Sequence, residues 1–288
     1  MLAGYTRRAQ ASPATFVTAL PVAQNQALVR INAQPAFGSN GYRKLQFPVN
    51  IGYGITPNWA LFINVNQGML SLDNDPSTGG VADPLVFIRN TLFKIDKPDS
   101  TFRIAPLAGL YLPAGSNGQT SQGSLEPGQL QSGSGTVDPY AGVTSSYNTL
   151  RYGAALDATW RDNPVASSGY SPGSQFRADG QTELTLIPFH FPEEGLPTIL
   201  VLSLEANYAQ TASSHQNGVF SHPSGSKTFD QDAILELATL HWEVGGGVQI
   251  PVMQDFESPS PVKEHVGYYT FFEYYLSMPS WRHKRRGR

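Results

Sequence analysis

The sequence predicts an all-β fold, a transmembrane antiparallel up-and-down β-barrel of about twelve strands. Three observations predict it. Apolar and polar residues alternate with period two, the alternating segments run about 10 to 12 residues, and the connections between them switch between short and long.

The first segment, 26–37, sets Val29, Ile31, Ala33 and Phe37 against Arg30, Asn32 and Gln34. The second, 43–55, alternates without exception from Leu45 to Ile55, with Leu45, Phe47, Val49, Ile51, Tyr53 and Ile55 on one face and Gln46, Pro48, Asn50, Gly52 and Gly54 on the other. The third, 58–69, opposes Trp59, Leu61, Ile63 and Val65 to Asn64 and Asn66. Segments 83–95, 101–113 and 136–148 follow. In 150–161, Tyr152, Ala154, Leu156, Ala158 and Trp160 oppose Arg151, Asp157, Thr159 and Arg161. After 176–189, segment 198–210 sets Leu200, Leu202, Leu204, Ala206 and Tyr208 against Ser203, Glu205 and Asn207. Segments 232–240, 242–252 and 264–276 complete the set.

A soluble sandwich also alternates, so length must decide. Soluble strands average about 5 or 6 residues, whereas a tilted bilayer crossing needs about 9 to 11. Tyr53, Trp59, Tyr111, Tyr147, Trp160, Tyr208, Trp242 and Tyr268 fall near segment ends, where interfacial girdles belong. Turns are short at Thr56-Pro57, Asp96 to Ser100 and Thr149, and long polar stretches occupy 70–82, 114–135, 162–175 and 211–231. Short periplasmic turns and long outer loops are the asymmetry of an outer-membrane barrel. An even strand number places both termini on the periplasmic side. The division is then a periplasmic N-terminal segment (1–25), a barrel (26–278) and a basic tail (279–288).

Composition fits. Charged residues make up 14%, against roughly 25% in soluble domains. The tail from Arg282 to Arg288 holds five of the 19 basic residues, so the remaining 14 face 22 acidic ones. An acidic body argues against nucleic acid as a partner. The absence of cysteine excludes disulfides, thiolate metal sites and a cysteine nucleophile. No run approaches the roughly 20 apolar residues of a membrane helix. Met1 to Gln24 carries Arg7 and Arg8 without a sustained apolar core, so an export signal is expected upstream of the numbered start.

Several motifs recur in a fixed order: Tyr53-Gly54-Ile55-Thr56 then Trp59-Ala60-Leu61, Ala82-Asp83, Leu112-Pro113-Ala114-Gly115, Gly133-Ser134-Gly135-Thr136-Val137-Asp138, Leu204-Glu205-Ala206-Asn207, and Gly247-Val248-Gln249-Ile250-Pro251-Val252. Over roughly residues 40–276 this order resembles the outer-membrane barrel transporter family labelled as phenol meta-pathway degradation-like proteins. The resemblance implies a single barrel that moves small hydrophobic, often aromatic, compounds. It carries no catalytic residue across. Barrels of this kind usually end on an aromatic residue. Here Val266-Gly267-Tyr268-Tyr269-Thr270-Phe271-Phe272 fits that signal loosely, and a basic extension follows Met278.

By alternation the inward face carries Arg30, Arg103, Asp138, Arg151, Asp157, Arg161, Arg177, Asp179, Glu183, Glu205, Glu243 and Glu273. These line either a wet lumen that filters solutes or a barrel plugged by its own ion pairs. Neither sign dominates, so no strong ion selectivity is expected. Tyr269, Phe271 and Tyr275 either join this lining or, with a slip of one residue, face lipid. Gly245-Gly246-Gly247 is no phosphate loop, since no helix follows; it lets the wall curve or a plug approach.

His215, His222 and Ser224 suggest an esterase, and Ser224-Gly225-Ser226-Lys227 matches a bare S-x-x-K pattern, but no rigid element holds them. The histidines lack ligand spacing, and Asp83, Asp96, Asp99, Asp138 and Asp162 show no calcium-loop spacing, so neither metal nor cofactor is expected. The expected role is an outer-membrane channel or transporter for small molecules, hydrophobic or aromatic ones included, with lipid and solute as partners. The alternatives are a plugged scaffold barrel in an oligomer or envelope complex, a membrane esterase using Ser224, and a soluble lipocalin-like barrel.

Overall fold

The computed structural model describes residues 19, 22–72, 75–115, 120–121, 124–125, 133–164, 170–171, 173–191, 197–216, 219–222, 225–257 and 263–277. Twelve strands form the wall: β1 (Gln26–Gly38), β2 (Arg43–Gly54), β3 (Trp59–Leu72), β4 (Leu85–Asn90), β5 (Ser100–Tyr111), β6 (Asp138–Thr149), β7 (Tyr152–Arg161), β8 (Gln175–Ile187), β9 (Ile199–Thr211), β10 (Ser226–Ala238), β11 (Trp242–Phe256) and β12 (Glu264–Ser277). Each pairs antiparallel with its sequence neighbours, and β12 pairs with β1 through Arg30 opposite Glu273. The barrel is therefore closed and leaves no strand edge in the ring.

The faces separate as alternation requires. Ile31, Phe47, Ile51, Leu156, Leu204, Ile250 and Phe272 are exposed apolar side chains on the outside, while Arg30, Asn32, Asp157, Glu205 and Glu273 are buried on the inside. A water-facing barrel would invert this arrangement, so the outer surface is one suited to lipid. Tyr111 departs from the expected girdle. It lies opposite Asp138 and Leu85 on the inward face.

One end of the barrel carries the start of β1, the end of β12 and the tight turns. Three of these turns share a device: the Oγ1 of Thr56, Thr149 and Thr239 accepts backbone N–H bonds from Trp59, Tyr152 and Trp242, at 3.0, 2.9 and 3.1 Å. A hydroxyl that closes the turn locally lets the next strand start on an interfacial aromatic. The connection at His241, between β10 and β11, is closed in this way.

Two predicted elements change. Strand β10 starts at Ser226, not 232, because its first turn pairs with the end of β9 (Thr211 opposite Ser226). The predicted 83–95 strand is divided. Asp75–Val81 extends the β3 hairpin, β4 covers Leu85–Asn90, and Phe93–Asp96 pairs with the start of β5. Asp83 and Pro84 interrupt the ladder, Pro84 having no N–H to contribute. At the loop end, Tyr170–Ser171, Ser214–Gln216 and Val219–His222 form a small sheet that ties two outer connections together.

Candidate functional site: the barrel interior

The interior divides into two walls. The first lies on β3, β4 and β5, whose inward positions include Ala60, Phe62, Leu85, Phe87 and Leu107. These five are buried in one apolar cluster, with Leu28, Tyr111 and Tyr140 packed against it. The Phe62 and Phe87 rings stack at 4.9 Å with an interplanar angle of 9°. The Arg89 guanidinium lies 4.7 Å above the Phe62 ring, with its aliphatic stem along the same wall.

Val22 belongs to this cluster although it precedes the first strand. Ahead of β1 the chain turns inward, and Gln24 bridges to Gly54 on the lumen side of β2. A Cβ on Gly54 would stand 2.1 Å from the Ala23 carbonyl oxygen, so only glycine allows the approach. Ala19 is fully buried as well.

The second wall lies on β8 to β12 and is acidic. Glu243 and Glu273 face each other across β11 and β12, and Arg30 of β1 reaches both, at 3.4 and 3.5 Å. One strand pair away, the Ser203 hydroxyl donates to Glu236 at 2.6 Å. Nearer the loop end Gln181, Glu205 and Asp232 share one register row, and Asn207 Nδ2 donates to Asp232 at 2.5 Å. Tyr269 and Phe271 are inward and buried, while Tyr268 and Phe272 point out, which fixes the register of β12. Both rings come close to glycines of β11. A Cβ on Gly245 would meet Phe271 at 2.5 Å, and one on Gly247 would meet Tyr269 at 3.0 Å. The glycine run therefore makes room for aromatic rings on the wall.

At the loop end a third arrangement ties the apolar wall to β6 and β7. Asp83 Oδ1 accepts the Gly115 N–H at 2.8 Å, and its Oδ2 accepts the Ser134 N–H at 2.6 Å and the Ser134 hydroxyl at 2.8 Å. Both ends of the long 112–137 connection are thus held by one buried carboxylate. Arg161 bonds Asp138 at 2.5 Å, approaches Asp83 at 3.8 Å and covers the Tyr111 ring at 3.9 Å.

Of the expected lining residues, Arg30, Arg103, Asp138, Asp157, Arg161, Arg177, Asp179, Glu183, Glu205, Glu243 and Glu273 occupy inward register positions. The fold brings together Arg30 with Glu243 and Glu273, Asp138 with Arg161, and Arg177 with Asp179 at 3.4 Å. Arg103 pairs with Asp96 at 2.9 Å, near the tight-turn end. Arg151 lies in the β6–β7 turn. It donates to the Thr185 and Phe189 carbonyls and stacks over Phe191, so it braces the 188–198 connection at the rim. The alternation of its strand does not extend through the turn.

Phe62, Phe87, Asp83, Gln181, Asp232 and Glu236 were not singled out by alternation. The run Trp59-Ala60-Leu61-Phe62-Ile63 is apolar on both faces, which signals a strand buried on both sides. His215 sits in the small loop sheet; Ser224 lies outside the described residues. Among the described residues no cluster of three or more His, Asp or Glu is arranged to hold a metal ion.

No family model and no curated protein matches the sequence. The fold is similar to that of an outer membrane channel from Pseudomonas putida F1, at 13% identity, 93% coverage of this chain, 100% of that chain and a TM-score of 0.61. The NanC porin is more distant, at 10% identity, 86% and 100% coverage and a TM-score of 0.48. The first of these likenesses is one of fold, a closed β-barrel matched over nearly the whole of both chains.

Proposed function

We propose that this chain is an outer-membrane channel for small molecules that carry an apolar, often aromatic, part, and that it belongs to the phenol meta-pathway degradation-like family that its motifs resemble. The observation that carries this reading is the apolar wall inside the barrel. Lipid makes the outside of every strand apolar, but nothing in the membrane asks for Phe62, Phe87, Leu85 and Leu107 on the inside. An apolar interior face beside polar ones is the composition of a binding and passage surface for a solute with an apolar body.

Residence in a Gram-negative outer membrane belongs to the same proposal, with residues 26–278 as the barrel and 1–25 and 279–288 as its extensions. The packing of Val22 on the apolar wall supports a second reading, a barrel whose passage is closed at rest and which serves as a scaffold.

Planar-bilayer conductance and entry of 2-phenylethanol into proteoliposomes separate the two. Salt-scaled steps or protein-dependent entry are expected for a channel. Silence in both, with insertion verified independently, leaves the scaffold.

A further inference from the structure

The acidic wall has a feature that charge pairing inside the barrel does not account for. Gln181, only 3% exposed, has neither amide atom in a hydrogen bond. It stands directly opposite Glu205, which in turn stands opposite Asp232. Tyr269, buried on the inward face of β12, packs against Ile234, two residues from Asp232 on β10, and its hydroxyl too has no hydrogen-bond partner. A buried amide without partners is costly in a finished fold, and such groups mark places where another molecule supplies the bonds.

We propose, building on the channel reading above, that Gln181, Glu205, Asp232 and Tyr269 form a lumen subsite for the ammonium head of an organic cation. An ammonium has three N–H donors and no acceptor, which matches carboxylate oxygens together with the Gln181 carbonyl. The Tyr269 ring adds a face that attracts a cation. In a ring of twelve strands, β10 lies across the barrel from β4, so the apolar wall faces this subsite. A solute with a charged head and an apolar body then has a surface for each end. Among the described residues the register row of this subsite holds Gln181, Glu205, Asp232 and Gln249 and no arginine, which disfavours an anion; Arg30 lies in another row, between Glu243 and Glu273. The pairing of Asp232 with Asn207 uses one of its oxygens and holds the carboxylate in place.

The test uses three probes with closely matched bodies: 2-phenylethylammonium, 2-phenylethanol and 3-phenylpropionate. Their binding to the detergent-purified full chain is measured by calorimetry, and their entry into proteoliposomes is followed in parallel. The ammonium should bind at least tenfold more tightly than the alcohol, and the carboxylate should bind most weakly. The double variant Glu205→Gln with Asp232→Asn should bring the ammonium down to the alcohol's affinity while leaving the alcohol unchanged. That unchanged value also shows the variant is folded. Gln181→Leu should cost the ammonium severalfold and the alcohol nothing.

Equal affinity for ammonium and alcohol, or a preference that survives the double variant, overturns the subsite. Loss of the preference in half-molar sodium chloride overturns it too, because a buried site is weakly screened and a diffuse acidic field is not. If the alcohol enters proteoliposomes but no ammonium preference exists, only the subsite fails. If the preference holds and no probe enters, the channel reading fails instead.

Discussion

The two walls of the interior are built on the same strand geometry and differ in almost everything else. On β3 to β5 the inward side chains are Phe62, Phe87, Leu85 and Leu107, while on β9 to β12 they include Glu205, Asp232, Glu236, Glu243 and Glu273. Outside, the same strands look alike: Ile63, Val86 and Ile104 on one half, Leu204, Leu235 and Phe272 on the other. Lipid imposes one requirement all around the circumference, so the outer face reports on the membrane and little else. The inner face is under no such requirement, and its asymmetry is what the proposed passage of a partly apolar solute would use. The expectation that neither sign dominates came from pooling all inward residues. Placed in the ring, Glu205, Asp232, Glu236, Glu243 and Glu273 fall on the adjacent strands β9 to β12, while Asp138 and Asp157 lie on β6 and β7.

The acidic wall should be the more fragile half. Arg30 is the cation shared by Glu243 and Glu273, and all three are buried. Replacing it with alanine leaves two close carboxylates without that guanidinium and removes its stacking on Phe271, 3.9 Å from the ring centre. A loss of about 4 kcal/mol is expected from such an uncompensated buried pair. Urea unfolding in lipid vesicles would measure it. Adding Glu243→Gln and Glu273→Gln to Arg30→Ala should recover most of the loss, and failure to do so would mean that packing, not charge, sets the stability there.

The apolar wall should fail differently. Phe87→Ala removes one ring of the Phe62 stack and a contact to Tyr140, and a loss of about 3 kcal/mol is expected from transfer and cavity terms together. No second substitution on charged residues should rescue it. If the barrel tolerates Phe87→Ala at less than about 1 kcal/mol, the stack is not packed against a filled interior and the wall is open to solvent.

How far these walls were legible from residues alone depends on range. The exterior was legible because period two is a local signal, and segments such as 43–55 carry it without interruption from Leu45 to Ile55. The inward set from Arg30 to Glu273 followed from the same parity. What parity could not show is which inward residues meet: Arg30 and Glu273 are joined only by closure of the ring. The double-sided run from Trp59 to Ile63 already held the apolar wall, but a reading that sorted residues by alternation passed over Phe62. The tight turns were marked too, by threonine three residues before an aromatic at Thr56, Thr149 and Thr239. Strand β10 was misplaced because Ser226 to Gln231 is polar enough to pass for a loop, and only its pairing with β9 makes it a strand. Asp83 was the hardest to read, since its partners lie 32 and 51 positions away.

Asp83 also supplies the smallest of the expected effects, at the point where the apolar wall is tied to β6 and β7. Three of the ordered sequence motifs, Ala82-Asp83, Leu112 to Gly115 and Gly133 to Asp138, converge on its carboxylate. That convergence gives a physical reason for their occurring together. Asp83→Asn keeps the size and one acceptor but replaces the other with an NH2 that cannot accept from Ser134. The cost should be about 1.5 kcal/mol, the scale of hydrogen bonds to a charged group, and it should be local. Amide exchange at Gly115 and Ser134 should then quicken by about tenfold, with the strand amides of β9 to β12 unchanged. Unchanged exchange at both residues would mean that Gly115 and Gly133 hold the connection by their own close packing. A change spread over the whole barrel would mean that the clamp supports the ring and not merely the loop it closes.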